Sequence, residues 1–317
     1  MIKIHHLNVG HGDCIIVQFK SGRNLMVDIN RSSDFDDDTK EELSEVALES
    51  IESSKRILYE LGLMTKDAVL AEAKYNIKLT DPIEYLKDNG INSLFRFVST
   101  HPHTDHFTGL NQLFETYPVS NFWVSKNSFC VDKSKLSENQ LKDWNRYMSF
   151  RNSTERTVGN TTVINPRDGD SLDFWAQDGV SILAPSPELI KIAQEKDNKN
   201  IMSYVLLIEY AGKKIVLGGD AEYETWEYIM DNHSDKIKDV TLLDASHHGR
   251  DSGFNERAVK HMNPAYVVVS VGKKPKTDAS NKYRKYSDNV WSTRWKGNIT
   301  FKLNSDGTGT YDTEYNR

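Results

Sequence analysis

Apolar residues in this chain fall mainly into short runs separated by glycine-containing turns, the pattern of strands buried in sheets. The opening segments predict strands over Ile2–Val9, Asp13–Phe19 and Asn24–Ile29. From Asp36 to Leu61 the spacing changes. Leu43, Val46, Leu48, Ile51, Ile57 and Leu58 recur at helical intervals, with acids at the start where they suit the helix dipole. Short helices are predicted over 66–73 and 81–88, a buried strand over 94–98, a helix over 107–117, a strand over 121–125 and a helix over 137–150. The second half repeats the rhythm. Strands are predicted at Val180–Leu183, Val240–Ala245, Ala265–Ser270, Ile299–Leu303 and through Tyr311. Tyr204–Tyr210 and Lys214–Leu217 make a hairpin, and helices are predicted over Ala221–Met230 and Asn255–His261. Strand blocks alternating with helices predict an α/β protein with two central sheets and helices outside.

Composition narrows the class. A mean hydropathy of -0.61 and no apolar run near the roughly 20 residues that span a bilayer argue against a membrane protein. The first residues already read as a strand, with no apolar leader, and a cytoplasmic setting is expected. Cys14 and Cys130 are far apart in apolar surroundings and are expected to be buried free thiols. A net charge of -6 excludes a surface that coats nucleic acid generally. The charge is unevenly distributed, however. Acids dominate between Asp34 and Glu60, whereas Lys273, Lys274, Lys276, Lys282, Arg284, Lys285, Arg294 and Lys296 make a basic run near the C-terminus. The acidic run reads as a solvated face; the basic run could contact phosphate, with Trp291 and Trp295 inside it.

The chemistry concentrates in Ser99-Thr100-His101-Pro102-His103-Thr104-Asp105-His106. Three imidazoles and a carboxylate within six positions suit zinc, manganese or iron. His101 and His103, two apart where a strand runs out, point the same way and can share one metal. Asp105 and His106, at the start of the predicted helix over 107–117, can aim at a second. Two further strand ends offer ligands: Leu217-Gly218-Gly219-Asp220, and Leu243-Asp244-Ala245-Ser246-His247-His248-Gly249. A carboxylate at Asp220 can bridge two cations. His11, in a glycine turn, is a weaker candidate, while His5, His233 and His261 read as structural.

These segments resemble the metallo-β-lactamase fold superfamily, and more narrowly the hydrolase domain of ComEC-type competence proteins. Leu7-Asn8-Val9-Gly10-His11-Gly12-Asp13-Cys14 is similar to that group's DVGQGDA, Met26-Val27-Asp28 to its LIDTG strand, and Asn200 to Leu206 to its NxxSLVL strand. Val269-Ser270-Val271-Gly272 and Gly297-Asn298-Ile299-Thr300 follow in matching order. The resemblance implies an αββα four-layer sandwich over 1–317 as a single domain, with 31–80 as a helical insertion. It implies two divalent cations, zinc or manganese. His101 and His103 would hold the first; Asp105, His106 and His248 would hold the second, with Asp220 bridging. His247 would contact phosphate or the leaving group, the reverse assignment of His247 and His248 remaining open. Asp13 and Asp28 would support the ligand loops from behind, with Asn200 and Ser203 nearby. Relatives carry a further histidine on the strand that here holds Asn200 and Ser203, Asp at Asn8 and Gln at His11, and a His-Pro absent from Lys273 to Ser280.

A divalent pair acidifies solvent from a pKa of about 15.7 towards about 7 and stabilises charge at phosphorus, with Asp105 taking or relaying the proton. The expected activity is therefore phosphodiester hydrolysis, with DNA as substrate and Lys273, Lys274 and Lys276 holding its backbone. Two alternatives stand beside it. One is a small-molecule phosphoesterase of the choline-phosphate-esterase kind; the other is a metal-binding scaffold whose acidic insertion docks a protein partner.

Overall fold

Alternation along the strands decides the layering. Ile2, Ile4, Ile15, Val17, Leu25 and Val27 share one apolar cluster with Leu206, Ile208, Ile215, Leu217, Leu242 and Val268. Their neighbours Ile16, Met26 and Phe97 point the other way, onto Leu110, Leu113, Trp144 and Phe150. Likewise Val205, Leu207, Val216, Leu243 and Val267 meet Leu189, Trp226, Ile229 and Val259. Two sheets therefore face each other through the first cluster and carry helices on their outer faces, an αββα sandwich in four layers. The computed structural model describes residues 1–32, 37–75, 78–272 and 278–315, and the side chains of 37–38 are not among those described.

The larger sheet runs in the order Gly309–Thr313, Ile299–Leu303, Ile2–His6, Ile15–Gln18, Asn24–Val27, Leu94–Ser99, Val119–Val124, Thr161–Ile164 and Thr157–Val158. From Asn24–Val27 to Thr161–Ile164 its strands are parallel. The smaller sheet runs Val180–Ala184, Val205–Tyr210, Lys213–Leu217, Leu242–Asp244, Tyr266–Val269 and Asn289–Ser292, parallel from its third strand onward. Parallel strands end at a common edge. The loops after Val27, Ser99, Leu217 and Asp244 carry Asp28, His101 to His106, Asp220, and His247 with His248. Such carboxyl-end edges are where open α/β sheets bind ligands.

Several predicted elements are corrected. The helix over 36–61 is two, Asp37–Leu48 and Ser53–Glu60. Ser50 Oγ donates to the Ala47 carbonyl at 2.8 Å and Arg56 donates twice to the Leu48 carbonyl at 2.8 and 3.1 Å, so the freed C-terminal carbonyls are satisfied at the break. The helix over 107–117 shrinks to Leu110–Thr116, because Phe107–Thr108 pairs as a strand with Ile29–Asn30 and Gly109 is left-handed. Asp105 and His106 therefore sit in a 3₁₀ turn, Thr104–His106. Cys14 is buried but Cys130 is exposed, so only one of the two free thiols lies in the core.

Helices Asp37–Leu48, Ser53–Glu60 and Lys66–Glu72 gather a small core of Leu43, Ala47, Val69, Leu70 and Tyr75. Trp295 and Tyr315 pack onto it, and Arg294 pairs with Glu42 at 2.5 Å. Trp295 thus serves packing, as does Trp291 against Phe301 and Tyr311. The helix Ser53–Glu60 buries no side chain, and Ile57, Leu58, Leu61 and Leu63 are exposed. No described helix is long and apolar enough to cross a membrane.

Candidate metal centre

Three histidines present the same ring nitrogen inward, and in each case a partner behind the ring dictates it. Thr100 Oγ1 donates to Asp28 at 2.5 Å, so it accepts from Nδ1–H of His101 at 3.0 Å. His106 Nδ1 lies 2.7 Å from Asp28 Oδ2, and His248 Nδ1 lies 3.0 Å from the Ser270 carbonyl. With the proton held at Nδ1, the lone pair of each sits on Nε2. All three Nε2 atoms converge on Asp220. His101 is 3.5 Å from Oδ2, while His106 and His248 are 3.3 and 3.6 Å from Oδ1. His103 joins through Nδ1, 2.8 Å from His101 Nε2.

The donors form overlapping groups around Asp220. One comprises His101, His103 and Asp220; another Asp13, His106, Asp220 and His248, in each case with one donor atom per residue within 4.8 Å of the others. A third comprises His11, Asp105 and His248. Asp105 Oδ2 lies 3.4 Å from His248 Nε2 and 3.9 Å from His106 Nε2. Asp13 approaches the Nδ1 side of both His106 and His248 at 3.9 Å, and Asp28 also accepts from the Thr100 amide at 2.8 Å.

The electrostatics are compatible with a cation. Burial opposes charge on His106, yet Asp220, Asp105 and Asp28 hold its pKa well above the usual imidazole value. Against the same burial, Asp220 and Asp13 raise His248 to about 9. Burial, reinforced by the charge on His106, pushes His101 well below its usual value, and burial lowers His103 to about 4. Burial alone would raise Asp220 and Asp105; His106 and His248 instead hold both low. Asp13 is pushed up to about 6 by burial. Among the described residues, His106 Nε2, His248 Nε2 and Asp220 Oδ1 are buried without a hydrogen-bond partner. Buried, convergent and unsatisfied donors of this kind fit divalent metal, which supplies the positive charge otherwise borrowed from protons.

The backbone is shaped to bring these groups together. Gly218 lies so close to Ser246 Oγ and the Asp244 carbonyl, the latter 2.9 Å from an added Cβ, that only glycine fits. Asp28, His247 and His248 are left-handed with φ of 53°, 52° and 54°. Such residues cost roughly 1–3 kcal/mol each and persist where their surroundings over-determine them. The His247 amide is tied to the Gly219 carbonyl at 2.9 Å, linking two ligand loops directly.

His247 occupies the rim. Its Nδ1 lies 3.1 Å from Glu222 Oε1 and 2.7 Å from Ser252 Oγ, and its Nε2 is 3.8 Å from Asp220. Glu222 also accepts from Asn198 at 2.7 Å and Asn200 at 3.0 Å, and despite burial the His247 contact helps bring it down to about 2. Sequence reasoning singled out His247 but not Glu222, although Glu222 stands two residues beyond Asp220. Asn200 reaches His247 at 3.4 Å, whereas the buried Ser203 hydroxyl has no hydrogen-bond partner among the described residues. The ring of His11, the weaker candidate, lies tilted against that of His248 with centroids 4.5 Å apart. Asp244, given no role of its own in the sequence reading, is buried beneath the site, 3.7 Å from His6. Lys273, Lys274 and Lys276 lie outside the described residues.

The sandwich, with its donor side chains gathered at one edge, resembles the metallo-β-lactamase fold. Among curated proteins it is 24% identical over 233 residues to ComE operon protein 3 of Bacillus subtilis (strain 168), a match covering 74% of this chain and 26% of that one. The chain thus spans about a quarter of that relative's length. No family model matches. Similar solved structures include the metallo-β-lactamase fold protein YhfI from Bacillus subtilis, with 11% identity and a TM-score of 0.46, covering 98% of this chain and 100% of that one. Another is CmlA, a diiron β-hydroxylase from Streptomyces venezuelae, with 12% identity and a TM-score of 0.48, covering 95% and 54%.

Proposed function

We propose that the chain is a two-metal phosphodiesterase, acting on DNA as a nuclease. The observation that carries this reading is the sharing of Asp220 between the His101–His103 group and the His106–His248 group. One carboxylate between two donor sets is what a bimetallic hydrolytic centre needs. The resemblance to competence-type hydrolase domains supports DNA as the substrate.

Under this reading His101, His103 and Asp220 hold one cation, and Asp105, His106, His248 and Asp220 the other, zinc or manganese by donor type. When bound, such ions acidify solvent and neutralise charge developing on a phosphoryl group. The chain's own residues do the rest. Asp28 and Ser270 keep the ligand imidazoles oriented, and Asp105, at the mouth, takes up or relays the proton released from solvent. His247, held by Glu222, hands a proton to the departing oxygen. The free thiols fit a reducing, cytoplasmic setting.

The test is degradation of labelled single- and double-stranded DNA with manganese, zinc or magnesium, by the wild type and by His103→Ala and Asp105→Ala. Cleavage lost in both variants supports the reading. Turnover of bis-p-nitrophenyl phosphate without DNA cleavage favours a small-molecule phosphoesterase instead. A metal-loaded but inert protein would favour a scaffold, for which the exposed Ile57, Leu58, Leu61 and Leu63 of the acidic insertion offer a partner surface.

A further inference from the structure

Arg250 directly follows the His247-His248-Gly249 turn, and its backbone is held on both sides. Its amide donates to the His247 carbonyl at 3.0 Å, the Ala279 amide donates to the Gly249 carbonyl at 2.8 Å, and Arg250 bridges to Asp278. The side chain therefore leaves a fixed point beside the metal centre. Its Nη2 lies 3.3 Å from Nε2 of His11, and the His11 ring lies against His248. The order outward from the donor cluster is His248, His11, Arg250.

A guanidinium beside so many carboxylates ordinarily pairs with one of them through both arms. Arg250 does not. Among the described residues it makes no ion pair, its side-chain partner is a neutral-type acceptor, and its Nε is buried without any partner. An imidazole does not neutralise the guanidinium as a carboxylate would, and the buried Nε–H has no acceptor among the described residues, which leaves it able to meet an incoming oxygen. Planar fork geometry matches the non-bridging oxygens of a phosphoryl group.

We propose that Arg250 is the phosphate-gripping residue of this site, holding the non-bridging oxygens of the substrate's phosphoryl group beside the metals, with His11 fixing the guanidinium's direction. The assignment rests on the phosphodiesterase reading and deepens it. Anion recognition is supplied here by a residue adjoining the ligand turn, independently of the basic run near the C-terminus.

The experiment uses the full chain loaded with manganese, with inorganic phosphate as probe. Calorimetry is expected to give phosphate binding weaker by about tenfold in Arg250→Gln, with metal content and melting temperature unchanged. Arg250→Lys keeps the charge but loses the fork, and falls between the two. Wild-type phosphate affinity in Arg250→Gln overturns the assignment. A second measurement needs no variant. In the wild type, phosphate is expected to slow phenylglyoxal modification of Arg250, mapped by mass spectrometry. Modification that is absent, or the same with and without phosphate, overturns the assignment. The two readings fail separately. No turnover of bis-p-nitrophenyl phosphate or DNA by a wild type whose Arg250 phosphate protects defeats the phosphodiesterase reading alone. Turnover with undiminished phosphate affinity in Arg250→Gln defeats the role of Arg250 alone.

Discussion

Asp28 Oδ2 lies 2.7 Å from His106 Nδ1, and both side chains are wholly buried. The same carboxylate accepts from the backbone and hydroxyl of Thr100, through which it also fixes His101. One residue thus orients ligands in both donor groups. Asp28→Ala is expected to weaken metal binding by about 10–100-fold, the usual effect of losing a partner behind a ligand histidine. Titration of the metal-free protein with zinc or manganese, followed by calorimetry, checks this; unchanged affinity would show that the rings are held by packing alone.

Two histidines outside the centre set an acid limit on stability. Burial lowers His5 to about 4, against the hydrogen bond its Nε2–H donates to Gln18 Oε1, and lowers His6 to about 3. A lowered imidazole contributes stability that is present above its unfolded value of about 6.5 and is lost as pH falls through its folded value. Melting temperature should therefore decline from about pH 6.5 towards 4. His5→Gln should flatten that decline; an unchanged slope would mean that other groups govern it.

The strands and the cluster of donor side chains were legible in the sequence for one physical reason. Buried strands need unbroken apolar runs, and metals need donors at their ends, so both leave compact local marks such as Leu94 to His106. Arg250 left none, and Glu222 stood at the end of the Gly218–Glu222 segment without a readable role, because their roles depend on contacts with His11 and His247 across the fold. The break at 49–52 was missed because Ile51 continues the helical spacing, while the side-chain caps from Ser50 and Arg56 have no period. Thr157–Val158, Thr161–Ile164 and Asn289–Ser292 are short edge or near-edge strands, whose polar positions mask the alternation.

The strand leading to His101 carries a buried charge of its own. Arg96 donates to Asp178 at 2.8 Å, Arg23 donates to the same carboxylate at 2.9 Å, and Arg96 is almost fully enclosed. Burial lowers Arg96 to about 10 even with this partner. Asp178→Ala strands that guanidinium without a counter-charge and is expected to destabilise the fold by about 3–5 kcal/mol. Urea denaturation checks this. A loss below about 1 kcal/mol, the range of exposed pairs, would mean that water reaches Arg96 in the native protein.

Glu222 and His247 supply the sharpest separation of binding from chemistry. Glu222 accepts from Asn198, Asn200 and His247, so its carboxylate fixes the position of the ring. His247 stands 3.8 Å from Asp220 and is partly exposed, unlike the enclosed His248. If His247 delivers a proton to the leaving oxygen, Glu222→Gln removes the charge that orients it while leaving His101, His103, His106 and His248 untouched. Metal content should then stay at the wild-type level, KM should change little, and kcat should fall by about 10²–10⁴, the range for a positioned acid. Substrates with a good leaving group, such as bis-p-nitrophenyl phosphate, need less protonation and should lose far less than DNA does. An equal loss on both substrates, or loss of metal, would assign Glu222 to holding the ligand loop instead of the proton donor.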